Sequence, residues 1–406
     1  MTNQMKNVPE LRFPEFDGEW EEGTIKSLVH GNLSDGDWIN KEYLLPNGKY
    51  RIIQTGNISV GKYLNKEKSS KFISQSSYDE LKANEVFPGD ILISRLADPA
   101  GRSIIMPNIN WKMVTSVDVA IIRPNKKFES YFLISILNTD KKLYDISKLV
   151  SGTSHKRISR KNLEKVKIIY PKIQEQQKIG DFFSKLDRQI ELEEQKLAKL
   201  EEQKKGYMQK LFSQELRFKT KDNVYYSEWQ LHKLGEIFKY SQGQQISVDK
   251  QFSVKSNEMK RFIRIVDITE NPEPRFVLYE SDTGLVNKED LFMIRYGRPG
   301  IVSIGFEGII ANNLFKLIPK IKISTVYFYY LLSYNYYRIN LLTNQSTMPA
   351  LNFKSLDLLK FKIPSYKEQN KIGNFFTKFD ELIEKQNKKI DGLKERKKGF
   401  LQKMFV

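Results

Sequence analysis

Residues 171–212 read PKIQEQQKIGDFFSKLDRQIELEEQKLAKLEEQKKGYMQKLF, and residues 364–405 read PSYKEQNKIGNFFTKFDELIEKQNKKIDGLKERKKGFLQKMF. The two stretches align without a gap at a constant offset of 193, and 21 of their 42 positions are identical. A repeat of this length and identity indicates that the 406 residues contain two copies of one structural unit.

The repeat continues upstream with weaker identity. Ser151–Leu163 keeps the offset of 193 from Asn344–Leu356, whereas Asp90–Arg95 corresponds to Asp290–Arg295 at an offset of 200. The drift indicates longer loops in the first copy, so each unit joins a variable first part to a fixed last part. We predict a first variable domain at 1–165, a central helix at 166–215, a second variable domain at 216–358 and a C-terminal helix at 359–406.

The fixed parts have the composition of helices, with abundant Glu, Lys, Gln and Leu and very little Gly or Pro. Apolar residues recur at alternating steps of four and three, the heptad pattern of a coiled coil, and both copies repeat it. Each helix of about 39 residues would be ~58 Å long at ~1.5 Å per residue. The predicted seam residues are Ile179, Phe183, Leu186, Ile190, Leu197 and Leu200 in the first helix, and Ile372, Phe376, Phe379, Ile383, Ile390 and Leu393 in the second.

The connectivity predicts how the two helices pair. The first helix ends near Phe212, where the second variable domain begins, and the second helix follows that domain. If the second variable domain is compact, the second helix starts where the first one stopped. The helices therefore form an antiparallel coiled coil with pseudo-two-fold symmetry, and the variable domains lie at its opposite ends.

The variable domains read as mixed α/β (α+β) folds, because short apolar runs are bounded by Gly, Pro and Asn. The net charge of the chain is +18, and the two helices contribute only +5 of it, so the positive charge lies mainly in the variable domains. Such an excess points to a polyanionic partner, most often nucleic acid. Predicted strands are Tyr50–Thr55, Asp90–Ser94, Val117–Arg123, Val166–Tyr170, Arg261–Val266, Leu291–Arg295, Leu314–Ile318 and Leu359–Ile363, with short helices at Ser130–Leu137 and Thr325–Leu332.

Two polar loops and two Arg-bearing turns occupy corresponding places in the copies. Asn and Gln can bond adenine bidentately, Arg can bond guanine, and Ser and Thr suit phosphate. The alternative is that these loops are ordinary solvated turns. The candidate DNA-binding residues are Arg95, Arg102, Ser151, Thr153, Ser154, His155, Lys156, Arg157, Arg295, Arg298, Asn344, Gln345, Ser346 and Thr347.

Several classes of protein are excluded by what the sequence lacks. There is no Cys, so disulfides, Cys-ligated zinc and Cys nucleophiles are absent, and the three His residues are too isolated for a metal site. No P-loop, dinucleotide fingerprint or Asn/Asp-Pro-Pro-aromatic motif of an adenine methyltransferase occurs. Glu194-Gln-Lys196 fits half of a nuclease motif, but it lies on a predicted helix where carboxylates cannot converge. No apolar run approaches the length of a membrane span, so we expect a cytoplasmic protein. Because the catalytic motifs are missing, we also expect a chain without catalytic residues.

Taken together, these residues resemble a known family. Two variable α/β regions, each closed by a Pro-x3-Glu-Gln-x-Lys-Ile-Gly-x-Phe-Phe helix at Pro171–Phe183 and Pro364–Phe376, resemble the specificity subunit of type I restriction–modification enzymes. The helix ends at 204–212 and 397–405 and the lead-in stretches at 153–158 and 346–351 fit the family as well. The resemblance covers essentially the whole chain.

The resemblance implies a division of labour in a larger complex. Each variable domain would be a target-recognition domain that reads one half of an asymmetric bipartite DNA site, and the helices would set the gap between the halves. The helices would also dock two modification subunits, and two restriction subunits would complete the complex. S-adenosylmethionine, ATP and Mg²⁺ would be bound by those partners and no cofactor by this chain.

Two other interpretations stay open at this point. One is a structural coiled-coil scaffold whose basic charge gives only nonspecific nucleic-acid binding. The other is an orphan or decoy specificity subunit that has no active partners. A self-sufficient methyltransferase or nuclease would need the motifs that the sequence lacks.

Overall fold

The computed structural model of the chain describes residues 7–96, 99–152, 156–270, 272–279, 281–343 and 349–406. Its contacts divide the chain into two units. Unit 1 comprises Met1–Glu194 and Lys388–Val406, and unit 2 comprises Gln195–Asn387. Each unit therefore joins one variable part to a segment of each long helix.

Unit 1 begins with a chain segment that lies against the long helices and continues into alternating strands and short helices. Its strands are β1 Glu21–Thr24, β2 Leu33–Asp35, β3 Tyr50–Ile53, β4 Phe72–Ile73, β5 Glu85–Val86, β6 Ile91–Ser94, β7 Ser103–Ile105, β8 Lys112–Thr115, β9 Val119–Ile122 and β10 Lys167–Tyr170. Its helices are α1 Ile25–Leu28, α2 Gln75–Leu81, α3 Ser130–Leu137, α4 Asp140–Ser147, α5 Arg160–Glu164 and the first part of α6 Ile173–Phe212.

Unit 2 repeats the order of the strands with different loop lengths, and its second short helix lies before its fourth strand rather than after it. Its strands are β11 Gln230–Lys233, β12 Phe238–Gln242, β13 Met259–Ile263, β14 Arg275–Leu278, β15 Leu285–Val286, β16 Leu291–Ile294, β17 Val302–Ser303, β18 Gly308–Ile310, β19 Leu314–Pro319 and β20 Lys360–Ile363. Its helices are α7 Leu234–Ile237, α8 Ile265–Thr269, α9 Thr325–Tyr334, α10 Tyr336–Asn340, α11 Phe353–Asp357 and the first part of α12 Tyr366–Lys403.

The two units have the same sheet topology. In unit 1 the four-stranded sheets are ordered β2-β9-β6-β7 and β4-β3-β8-β5, and in unit 2 they are β12-β19-β16-β17 and β14-β13-β18-β15. In each unit one central pair, β3 with β8 and β13 with β18, is parallel and the other pairings are antiparallel. The matching strand order confirms that the sequence repeat is a repeat of the fold.

The central strand of one sheet is buried on both faces in each unit. All four residues of β6 and all four of β16 are buried, which explains why they read as continuous apolar runs rather than as alternating ones. One face of this sheet packs on the apolar helix that follows, α3 in unit 1 and α9 in unit 2. These two helices were predicted at nearly the observed bounds.

The long helices begin inside the core of a unit. Ile179 and Phe183 belong to the main core of unit 1, and Ile372 and Phe376 belong to that of unit 2. The first turns of each long helix are thus part of the α/β domain. The two compact units follow the sequence repeat and do not separate the variable domains from the long helices. The domain boundaries at 165, 215 and 358 therefore stay predictions.

Within each unit the two helical segments run in opposite directions. In unit 1, Phe182 contacts Phe400, and Asp187, five residues further along α6, pairs with Lys397, three residues earlier in α12. In unit 2, Lys204 pairs with Asp380 and Tyr207 contacts Phe375. The antiparallel direction predicted from the connectivity is therefore observed in both units.

The burial of the predicted seam residues agrees with a helix–helix contact. Eight of the twelve are buried and the other four, Leu197, Leu200, Phe379 and Ile383, are half-buried. In unit 1, Leu186, Ile190 and Leu393 form one apolar cluster with Phe400 against it.

The Glu of the repeated Glu-Gln motif has a structural partner that the sequence did not indicate. In unit 1, Glu175 is buried and accepts hydrogen bonds from both the Arg12 guanidinium, at 2.8 Å, and the Trp20 indole. In unit 2, Glu368 accepts from Arg217 and Trp229, each at 3.1 Å. An Arg–Trp pair thus holds the start of each long helix to the segment that leads into the strands.

The Gln of the motif fixes the same helix start from the other side. Gln176 donates to the carbonyl of Pro171 and accepts from the backbone N–H of Glu129, the residue that caps α3. Gln369 makes the equivalent bonds to Pro364 and Ser324. The Glu-Gln pair therefore joins the helix start both to its lead-in segment and to the apolar helix.

Several predicted elements need correction. The run Arg261–Val266 is not one strand, because β13 ends at Ile263 and α8 begins at Ile265. The sequence predicts one short helix per copy, whereas the further short helices α1, α2, α4, α5, α7, α8, α10 and α11 are also present. None of the helices in the described ranges is both long and apolar enough to cross a membrane.

Candidate nucleic-acid interface

The predicted polar loop of unit 1 is closed at its base by the backbone. Ser151 and Arg157 exchange two N–H···O bonds of 2.9 Å, and the N–H of Ile158 bonds to the carbonyl of Arg95 at the end of β6. The base of the loop therefore lies at the end of β6. Ser151 and Lys156 are exposed, and Thr153, Ser154 and His155 lie outside the described residues.

The equivalent loop of unit 2 has the same anchor. Thr343 and Leu351 form a β-bridge at its base, and the N–H of Leu351 bonds to the carbonyl of Arg295 at the end of β16. The bases of the two polar loops thus lie at equivalent positions of the two units. Asn344, Gln345, Ser346 and Thr347 lie outside the described residues, so their role as DNA contacts stays a prediction.

Arg95 is a buried residue of unit 1. Its side chain is 5% exposed, lies 3.3 Å from Asp35 and donates to the carbonyl of Val117. Burial lowers the pKa of Arg95, and the nearby Asp35 opposes that shift. This environment ties β2, the turn before β9 and the loop base together, so it favours a positioning role for Arg95.

Arg157 is also engaged within unit 1. Its Nε lies 2.8 Å from Asp118, and its guanidinium donates to the same Val117 carbonyl that Arg95 uses. Arg160 lies 3.8 Å from Asp35. Arg160 also lies 3.3 Å from Glu164, so three arginines and three carboxylates meet at the end of the sheet beside the polar loop.

At the same place in unit 2, the arginine has uncharged neighbours. Arg295 donates to Gln242 at 2.7 Å, where unit 1 has Asp35, and its guanidinium lies 4.3 Å from the Phe353 ring centre. Phe353 takes the place of Arg160. The two units thus hold an Arg at the same position with different neighbours.

The remaining predicted arginines differ in exposure. Arg102 is half-buried, and desolvation lowers the pKa of its guanidinium. Arg298 is exposed and has no hydrogen-bond or ion-pair partner among the described residues. Of the predicted arginines, Arg298 has the surroundings that suit a direct DNA contact best.

A chain crossing beside the loop was not found from the sequence. After β2 the chain passes over the end of β8, where Asp37 forms a parallel bridge with Ser116. A Cβ added at Gly36 would lie 2.2 Å from the carbonyl oxygen of Ser116, so only glycine allows this approach.

The second unit contains the same crossing. Gln244 forms a parallel bridge with Ala311, and a Cβ added at Gly243 would lie 2.1 Å from the Ala311 carbonyl oxygen. In both copies a glycine directly follows the strand before the crossing, Gly36 after β2 and Gly243 after β12. This repeated glycine is the sequence signal that could have located the crossing. The residues that follow each bridge reach the surface at the same end of their unit as Arg95 or Arg295.

The described residues were also compared with the donor sets that bind metal ions. No group of three or more His, Asp or Glu side chains among them could hold a metal ion. The arrangement offers instead hydrogen-bonding and cationic groups on loops held by rigid strands, which is what recognition of a polyanion with base-specific contacts requires.

Comparisons with known proteins agree on one family. The model of the family described as the type I restriction modification DNA specificity domain matches residues 17–202 and again residues 226–395. The chain is 26% identical over 420 residues to a candidate type I restriction enzyme MjaX specificity subunit of Methanocaldococcus jannaschii, covering 99% of this chain and 96% of that protein.

Solved structures share the fold along almost the whole chain. The S subunit of a type I restriction–modification system from M. genitalium is similar with a TM-score of 0.62 and 18% identity, covering 98% of this chain and 99% of that one. A chain from a structure on complex assembly and conformational transition of the type I system gives a TM-score of 0.55 at 17% identity, with 95% and 97% covered.

Proposed function

The chain belongs to the type I restriction–modification DNA specificity family, and from that premise we propose how it recognises its target. Each unit reads one half of a bipartite DNA site through the loops at the end of its central sheet. The long helices set the gap between the two halves. The chain contributes recognition and scaffolding, and catalysis belongs to its partners.

One observation carries this proposal: the units share one architecture but differ in the residues at the candidate interface. Asp35 of unit 1 is replaced by Gln242 in unit 2, and Arg157 and Arg160 are replaced by Ala350 and Phe353. Two units with the same fold but different contact residues would recognise different bases. The two half-sites should therefore differ, which makes the target asymmetric.

The repeat also supports the proposed subunit composition. Two modification subunits would dock on the long helices, one on each of two equivalent helical surfaces, and two restriction subunits would complete the complex. S-adenosylmethionine, ATP and Mg²⁺ would be held by these partners. The sequence supports that assignment, because it has none of the motifs that bind nucleotides or hold a target adenine for methylation.

Exchange of one variable domain tests the modular part of the proposal. Residues 216–358 would be replaced by the corresponding domain of another family member, and the methylated sequence would be determined with the modification subunits present. We expect one half-site to change and the other to stay. A change in both halves would contradict modular reading, and binding without any sequence preference would favour a nonspecific scaffold.

A further inference from the structure

The residues that follow the two chain crossings occupy the same place in each unit but have unrelated chemistry. In unit 1 that residue is Trp38, and in unit 2 it is Gln245. On the opposite strand of the unit 2 crossing the corresponding residue is Asn312, which follows the bridged Ala311. We call Trp38 in unit 1, and Gln245 with Asn312 in unit 2, the reading positions.

We propose that the reading positions determine base specificity, with Gln245 and Asn312 recognising an adenine in the half-site of unit 2 and Trp38 contacting a thymine methyl group in that of unit 1. The inference rests on the proposed function of the two units. It assigns base recognition to side chains that differ between the two copies. The backbone crossing that holds them is the same in both.

The amide pair of unit 2 has the hydrogen-bonding pattern that adenine requires. The side-chain N–H of Asn312 donates to Oε1 of Gln245 at 3.3 Å, and both residues are exposed. The pair then leaves the amide NH2 of Gln245 as a free donor group and the side-chain carbonyl oxygen of Asn312 as a free acceptor. Reversing both amides would leave the NH2 group of Asn312 and the side-chain carbonyl oxygen of Gln245 free, so the conclusion does not depend on the assignment of oxygen and nitrogen.

Adenine displays an acceptor, N7, next to a donor, N6, in the major groove, whereas guanine displays two acceptors there. A donor placed beside an acceptor therefore matches adenine and leaves one unsatisfied group against guanine. Arginine would give the opposite preference. This is the physical reason to assign adenine rather than guanine to the reading position of unit 2.

The amide pair stands on a rigid support. Gln242 donates to the backbone carbonyl of Asn312, and its own Oε1 accepts from Arg295. Arg295 is fixed in turn by its backbone bond to the carbonyl of Asn313, at 2.8 Å, and by the Phe353 ring. Arg295 is thus a positioning residue that acts through Gln242, and a held amide loses less entropy on binding than a free one.

Trp38 is exposed to an extent unusual for its type. It is 70% exposed, and its indole N–H donates to Oδ1 of Asn40 at 2.7 Å, which fixes the ring while leaving its faces open. A fixed apolar surface next to cationic loops suits contact with the methyl group that only thymine carries in the major groove. The two units would then read their half-sites by different chemistry.

The test uses the full chain in complex with its modification subunits and determines the methylated sequence by single-molecule sequencing of host DNA. The variants are Gln245→Ala with Asn312→Ala, and separately Trp38→Ala. Gln230→Ala is the matched control. It removes an exposed Gln of unit 2 on β11, a strand away from the chain crossing.

We expect the amide double variant to lose discrimination for adenine by about five-fold or more at one base pair of one half-site. Trp38→Ala should relax one position in the other half-site, and Gln230→Ala should change nothing. The half-site that a variant does not touch serves as the internal proof that the complex still assembles.

Three results would overturn the inference. These are an unchanged motif in the double variant, altered readout in both half-sites, or an equal effect of Gln230→Ala. A wild-type complex that methylates no bipartite motif would instead overturn the proposed function on which the inference rests. The two failures are therefore distinguishable in one experiment.

Discussion

At the scale of single residues, the most constrained groups are buried ions. The side chain of Glu368 has no exposed surface, and its partners Arg217 and Trp229 come from a segment about 140 residues earlier in the chain. Burial raises the pKa of Glu368, and the bonds from Arg217 and Trp229 offset part of that shift. Removing the carboxylate would leave the Arg217 guanidinium without its partner in a largely buried place.

We therefore expect Glu368→Ala to lower the free energy of unfolding by about 3–5 kcal/mol, the usual cost of breaking a buried pair. Glu175→Ala should have a similar effect, because Glu175 has the equivalent partners Arg12 and Trp20 in unit 1. Chemical denaturation monitored by circular dichroism measures both. Glu381→Ala, an exposed position on the same helix, is the control. An effect of Glu368→Ala no larger than that of the control would show that the pair does not hold the helix start.

The predicted arginines separate by burial. Arg95→Ala should lower thermal stability clearly, because it leaves Asp35 without its closest cation. Arg298→Ala should leave melting nearly unchanged while weakening DNA binding and reducing the salt slope by about one. Melting curves and salt-dependent binding of the complex measure the two effects. The reverse assignment, with Arg298 affecting only stability, would contradict the candidate interface.

The repeated motif could be predicted from the sequence, but the contacts of its residues could not. The positions of Glu175 and Glu368 follow from the alignment of the copies. Their partners lie far away in sequence. Arg12 with Trp20 recurs as Arg217 with Trp229, but this repeat does not show which residue they contact. In the same way, Arg95 was predicted as a DNA contact from its turn. Its burial results from Asp35 and Val117, which the fold brings to it.

At the scale of elements, the long helices are paired by charge as well as by apolar contacts. Asp187 lies 2.6 Å from Lys397 in unit 1, and the residues at the same repeat positions, Asp380 and Lys204, pair in unit 2. A tyrosine joins each carboxylate. In unit 2, Tyr330 donates to Asp380 at 2.5 Å. In unit 1, Tyr131 lies near Asp187, and burial together with this carboxylate raises the pKa of Tyr131 to about 12.

A charge reversal tests whether these pairs select the register of the helices. Asp187→Lys alone should destabilise unit 1 by about 1 kcal/mol through repulsion of Lys397, since the pair is partly exposed. Adding Lys397→Asp should recover at least about half of that loss. Glu201→Lys, an acid-to-lysine change at an exposed position of the same helix, controls for the change in net charge. Additive effects of the two reversals would show that the pair contributes nothing to register.

Long elements were predictable and short ones were not. The heptad pattern extends over about 39 residues in each copy, and the helices α6 and α12 follow it. Helices α5, α10 and α11 have only five residues each, which is too short for a 3.6-residue period to show. They form because tertiary contacts bury one or two apolar side chains, such as Leu163, Ile339 and Leu356.

At the scale of the whole molecule, the gap between half-sites is the property that belongs to no single unit. Insertion of one heptad after Leu200 and one after Leu393 would keep the seam pattern and add ~10.5 Å at ~1.5 Å per residue. We expect the recognised gap to lengthen by about three base pairs while both half-sites stay the same. Changed half-sites at an unchanged gap would contradict the proposal that the helices set the spacing.

The measurement that tests the central claim most directly is single-molecule sequencing of adenine methylation in host DNA after co-expression of this chain with its modification subunit. We predict one new methylated motif with two unequal half-sites separated by a fixed gap, absent when this chain is omitted. A stable complex that adds no motif would contradict sequence recognition by this chain, and methylation without sequence preference would contradict the assignment of base reading to the two units.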